Sequence, residues 1–178
     1  MSDIVSVFPP KVWPPAVVLD GHTYQLRSRS ALAIVEDIAI GDWSGLFTGS
    51  LCDEDLMHIA LRIADVDDDL DTYRLVMIGR VIAENVCGTS FEAARQLAAS
   101  VVGGWFWFSA WCISHQMDVT QSSVHALIAA SYAASLEVAE HSDDKMAVTK
   151  LNAKLWPLSD RTHTAADEAA IVAAAVAS

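Results

Sequence analysis

With 178 residues, 53% of them hydrophobic and 19% charged, the chain can bury a sizeable core, which excludes an intrinsically disordered protein and points to one domain. Lys and Arg number 11 against 23 Asp and Glu, a formal net charge of −12 that would repel a phosphate backbone and excludes nucleic acid as a direct partner. Cys52, Cys87 and Cys112 are far apart with no C-x-x-C pair, which argues against a disulfide scaffold or structural zinc site and fits a reduced cytosol.

Residues 1–10 carry Asp3 but neither a basic n-region nor a long apolar stretch, so no secretory signal is expected and the mature chain is expected to begin at Met1. Residues 8–15, FPPKVWPP, hold four prolines and close a Pro-rich extended lead-in over 1–15. A helical domain is expected over 16–157 and an Ala-rich tail over 158–178. The domain opens with a β-hairpin over about 17–26, because β-prone runs flank Asp20-Gly21, a pair that supplies the positive φ values of a tight turn.

A first helix is expected over 31–40, with Ser30 as N-cap, Gly41 as stop, and Leu32, Val35, Ile38 and Ala39 inward. The stretch 41–50, GDWSGLFTGS, has Gly41, Gly45 and Gly49 at the four-residue spacing of a membrane dimer face, but Asp42 and its Ser and Thr residues favour a loop. Acidic Asp53 and Glu54 open a second helix through 64, with Leu56, Ile59, Ala60 and Ile63 inward. After an acidic loop over 65–69, a third helix runs from 70 to 86 with Tyr73, Met77, Val81 and Ile82 inward, ended by Gly88. Thr89 and Glu92 have capping-box spacing, so a fourth helix starts near Ser90 and continues into the aromatic run. Further helices are expected over 119–139 and from a Ser142 cap through Met146, Leu151 and Leu155, stopped at Trp156-Pro157. In the tail, Thr164 and Asp167 offer one more cap. The fold class is mainly α, a single helical domain with a short N-terminal β-hairpin.

Between Arg95 and Asp118 no residue carries a formal charge beyond what His115 could hold. The apolar part, 97–113, lies at the lower edge of what spans a bilayer, is broken by Gly103-Gly104, and lacks flanking Lys or Arg on its C-terminal side, so a buried core helix is favoured over membrane insertion. Its densest feature is Trp105, Phe106, Trp107, Phe108 and Trp111. On a helix, Trp105, Phe108 and Trp111 or Cys112 share a face while Trp107 points elsewhere, which implies contact on more than one side. A central helix wrapped by its neighbours is the favoured explanation, and a docking surface for a partner helix the alternative.

Chemistry-bearing patterns are sparse. Asp53, Glu54, Asp55, Asp65, Asp67, Asp68, Asp69 and Asp71 crowd around the lone basic residue Arg62. Asp65, Asp67 and Asp69 begin a calcium-loop spacing, but Leu70 stands where Gly is needed and Val76 where the bidentate Glu belongs. The six histidines, 22, 58, 115, 125, 141 and 163, are scattered singles with no H-E-x-x-H. No G-x-S-x-G, Walker loop or G-x-G-x-x-G occurs. The expectation is a protein that is not an enzyme, with no cofactor and no assigned catalytic, metal or partner-binding residue.

The order of features resembles one family. The hairpin with Asp20-Gly21 and Tyr24, the Gly41-Asp42-Trp43 segment, the acidic loop, Phe91-Glu92-Ala93-Ala94 with Leu97, the 105–111 aromatic block, a helix bearing Tyr132 and Glu137, and the closing Lys150-Leu151-Asn152-Ala153-Lys154-Leu155-Trp156-Pro157 are similar to tail assembly chaperones of long-tailed phages infecting actinobacteria. The chain departs from that pattern at Thr89-Ser90-Phe91, where an Arg-Pro-Trp-Trp-like run is usual. The resemblance implies a non-enzymatic morphogenesis factor that binds the tape measure protein and keeps it soluble during tail assembly. It implies action in the host cytoplasm, absence from the mature virion, and a chain matching the shorter of two products, the longer frameshifted form being a further partner. Other expectations are an oligomeric structural adaptor that self-associates through the Trp-rich helix, and a small membrane-associated protein.

Overall fold

The computed structural model describes residues 13–14 and 16–156, and the fold is mainly α with a short N-terminal β-hairpin. Most of the Pro-rich lead-in, the Ala-rich tail with its Thr164 and Asp167 cap, and the Pro157 helix stop lie outside the described residues.

Strands β1 (Ala16–Leu19) and β2 (His22–Gln25) pair antiparallel with Leu19 opposite His22. The turn places Asp20 at φ 51° and Gly21 at φ 79°, the left-handed pair that matches strand twist. Inward-facing Tyr24 is fully buried and meets Phe47 edge-on at 5.9 Å.

Helix α1 (Ala31–Ile40) begins where Ser30 accepts the Ala33 N–H and ends at left-handed Gly41, as expected. Its buried face is Ile34, Val35 and Ile38, with Leu32 and Ala39 only partly covered. The segment expected as a loop contains a short helix, α2 (Trp43–Thr48). Asp42 Oδ1 accepts the Gly45 N–H at 2.8 Å, and Trp43, Leu46 and Phe47 are buried. Burial of three large side chains, ~1.5–3 kcal/mol for each, outweighs the glycine content that argues against a helix here.

Helix α3 (Asp53–Ala64) has the expected bounds. Helix α4 (Thr72–Cys87) starts where Asp71 accepts the Arg74 N–H at 2.7 Å, and Gly88 at φ 72° ends it. It turns Leu75, Gly79, Ile82, Ala83, Val86 and Cys87 inward. Tyr73, expected inside, is 68% exposed, and Met77 and Val81 are half-buried. The close crossing of α2 over Gly79 sets this rotation.

Helix α5 (Phe91–Gly103) is the central element, packed against α1, α4 and α7 (Val124–Glu140) through Ala93, Ala94, Leu97, Ala98 and Val101. The residue that caps the helix is Ser90 and not Thr89. Ser90 accepts the Ala93 N–H, and Glu84 Oε1 reaches across from α4 to accept the Phe91 N–H at 3.0 Å. Buried Ser131 on α7 donates to the Leu97 carbonyl at 3.0 Å, so the polar group at this contact is satisfied.

The expected continuation of α5 into the aromatic run is also corrected. The chain bends by 93° at Gly103-Gly104, and a separate helix, α6 (Trp105–Ser114), leaves the core. Among the described residues no single helix is long and apolar enough to cross a membrane. Helix α7 begins later than expected because Asp118 accepts the Thr120 N–H and holds a turn before Ser123 caps the helix. Helix α8 (Ala147–Leu155) likewise starts beyond Ser142, whose hydroxyl accepts the Asp144 N–H in a turn. It closes on the body where Tyr132 donates to Asn152 at 3.0 Å and Trp156 to Thr89 at 3.1 Å.

Candidate functional site

The aromatic helix α6 is a surface element and not the wrapped core helix favoured by composition. It carries no Asp, Glu, Lys or Arg, and among the described residues its main contacts are with α5 and α7. Phe108 and Cys112 point inward and are fully covered. The other side presents Phe106, 88% exposed, and Ile113, 74% exposed, with Trp107 and Trp105 beside them. Phe106, Ala110 and Ile113 recur at helical spacing along the outer ridge. Trp107 therefore does lie away from Phe108, as the helical spacing predicts, whereas Trp105 is not in the core.

Trp111 fastens the helix. Its indole Nε1 donates to Glu137 Oε2 on α7 at 2.7 Å, and the His115 ring stacks on the indole at 4.0 Å with its Nε2 3.7 Å from the same carboxylate. An indole with one face on a ring and its N–H on a carboxylate has little rotational freedom. The arrangement holds α6 rigidly while leaving its outer ridge bare.

A second cluster joins residues that looked unrelated in sequence. The hairpin turn docks on α3 and brings His22 and His58 to a ring separation of 4.4 Å, with Tyr24 Oη 2.9 Å from His58 Nδ1 and His22 Nε2 3.6 Å from Asp55 Oδ1. Asp20, Gly21, His22, His58, Arg62 and Asp68 line a shallow cleft of about 430 Å³. These two histidines are thus neighbours and not scattered singles; His163 lies outside the described residues.

The cleft's cation is bonded through Nε and Nη2. Arg62 Nε donates to Asp68 Oδ2 at 2.7 Å and its Nη2 to Asp68 Oδ1 at 2.9 Å and Asp20 Oδ2 at 2.7 Å, while Arg74 donates to Asp20 Oδ1 at 3.0 Å. The Arg62 fork, helped by the Leu70 N–H, holds the Asp68 carboxyl down to about 2. Asp20 is held below the usual carboxylate range, first by its bond from Arg62. The guanidinium is raised in turn by Asp68 and then Asp20. With the charge neutralised internally and Tyr24 buried, the cluster acts as a latch between hairpin and α3. Among the described residues no group of three or more His, Cys, Asp or Glu is placed to hold a metal ion.

The three cysteines are free thiols. Burial pushes Cys87 up to about 12 and raises Cys112 above its ordinary value, whereas Cys52 is half-buried at the start of α3. A disulfide reagent near neutral pH should therefore modify the native chain at Cys52 alone, and all three thiols once it is unfolded; mass-mapped labelling of Cys87 or Cys112 in native protein would contradict this burial. No family profile, curated protein or solved structure matches the chain.

Proposed function

We propose that the chain is a non-enzymatic tail assembly chaperone that binds the tape measure protein in the host cytoplasm, keeps it soluble during tail assembly and is absent from the mature virion. Under this reading it is the shorter of two products, and its longer frameshifted form is a second partner. The single observation that carries a binding role is the bare apolar ridge of α6, held rigid by the Trp111–Glu137 contact. A long helical polypeptide offers repeated apolar stripes, and a preorganised aromatic ridge can pair with such a stripe at low entropic cost. The net charge of −12 keeps such a complex dispersed. The identity of the partner comes from the family resemblance.

Co-expression with the tape measure protein tests the reading. The wild-type chain should carry the partner into the soluble fraction, and the double substitution Phe106→Ser with Ile113→Ser should lower the recovered partner by about tenfold while the chain itself stays folded. Both positions are far from the core, so unfolding does not confound the result. A tape measure protein that stays insoluble beside the wild-type chain would overturn the proposal.

One observation favours a second reading, the homo-oligomeric adaptor. Because α6 bears no charged residue, two copies can meet across it without like-charge repulsion. Light scattering separates the readings: a discrete oligomer that the same double substitution dissolves to monomer supports the adaptor.

A further inference from the structure

Helix α3 is packed inside out. An amphipathic helix on a globular body ordinarily buries its apolar stripe and shows its polar face to water. In α3 the side chains turned to the body are Asp55, His58, Arg62 and the buried Ile59, and the outward ones include Leu56, Met57, Leu61 and Ile63, which are 44%, 62%, 63% and 41% exposed. With Ala60 and Ala64 these residues fill an arc of roughly 160° at ~100° per residue. The expectation that Leu56, Ala60 and Ile63 face inward is overturned, and only Ile59 does so.

This orientation is specified by directional bonds. The Gln25 N–H donates to Asp55 Oδ2 at 3.3 Å, Tyr24 Oη bonds His58, and Arg62 is clamped by Asp20 and Asp68. Rolling the helix to bury its apolar arc would break all of these at once. Among the described residues nothing covers the arc, and contiguous exposed apolar surface of this kind marks an interaction site.

We propose that this face of α3 docks a basic amphipathic helix of a partner protein, at a site separate from the α6 ridge. The occupant follows from charge. Asp53 and Glu54 at one end, and Asp65, Asp67 and Asp69 beyond the other, border the arc, while Arg62 and Arg74 are engaged by Asp20 and Asp68 on the side turned to the body. A helix of about 18 Å laid along α3 would set its own flanks against these carboxylates, which calls for Lys or Arg there. A second copy of this chain would bring two acidic borders together. The chain's own residues 157–178 carry Asp160, Asp167 and Glu168 against Arg161, and so present the same sign.

The test uses the full chain and two labelled model helices of identical apolar pattern, one flanked by Lys and one by Glu, followed by fluorescence anisotropy. The Leu/Lys helix should bind and the Leu/Glu helix should not. Met57→Ser with Leu61→Ser should weaken binding about tenfold with an unchanged circular dichroism spectrum, and affinity should fall between about 0.01 M and about 0.15 M salt. Phe106→Ser with Ile113→Ser should leave this binding intact, so the result stands apart from the tape measure reading. Equal binding of both helices, binding untouched by the α3 substitutions, self-association lost in the α3 variant, or no binding by the full chain would each overturn the proposal.

Discussion

Gly79→Ala should destabilise the chain by about 3 kcal/mol or more, although in an exposed helix the same change would add up to ~1 kcal/mol. Gly79 lies in the middle of α4 where α2 crosses it, and an added Cβ would fall 1.8 Å from the Trp43 carbonyl oxygen and 2.5 Å from its carbon. Both clashing atoms are backbone, so no rotamer change relieves them. The two helices must separate, and Trp43, Leu46 and Phe47 lose contact with the core. Urea denaturation of the variant gives the measurement. Gly103→Ala is the internal control, since its Cβ meets nothing within 4 Å, and its midpoint should hold or rise slightly. A Gly79→Ala protein as stable as wild type would mean that the α2–α4 crossing is looser than described.

Arg62→Met should release α3 from the body without unfolding the core. The substitution keeps length and helix propensity but removes the fork that joins Asp20 to Asp68, leaving the buried Ile59 and the Asp55 and His58 contacts to hold α3. Amide hydrogen exchange across 53–64 should accelerate about tenfold or more, while amides of α5 remain protected. The pH dependence follows with a definite sign. Asp68 is depressed to about 2 in the folded chain against ~3.9 when unfolded. Its contribution is therefore fully present above pH ~4 and is lost as pH falls through about 2. Asp20 shifts in the same direction. The wild-type chain should loosen at α3 across that acid range, and Arg62→Met should flatten the response. An Arg62→Met variant with unaltered exchange and an unaltered acid limb would show that the clamp contributes nothing.

Much of the local structure was legible residue by residue. Asp20-Gly21 specified a two-residue turn, Ser30 and Gly41 bounded α1, and Gly88 ended α4, because each acts through backbone geometry within a few positions. The misreadings share one cause. Trp43–Thr48 reads as a loop because Asp42 and the Ser and Thr residues around it favour turns locally, yet burial against α4 decides it. Tyr73 looked inward by spacing, yet the Gly79 contact rotates α4. Periodicity reports that a helix has an apolar face, and cannot report whether a neighbour is there to cover it.

Both candidate surfaces fall in that gap. Composition marked 105–111 and 53–71 as unusual, one for its aromatics and one for its carboxylates. The joining of His22 to His58, and of Arg62 to Asp20, links residues dozens of positions apart through docking of the hairpin on α3, for which no short-range signal exists. By itself the sequence determined the class of fold, the hairpin, most helix ends and the acidic, apolar character of the chain, since these depend on local propensity and on sums over composition. Only the tertiary structure decided which apolar faces meet the core and which remain bare, because burial is a property of how helices cross: a 93° bend at Gly103-Gly104 and a polar latch on α3 turn two hydrophobic helices outward.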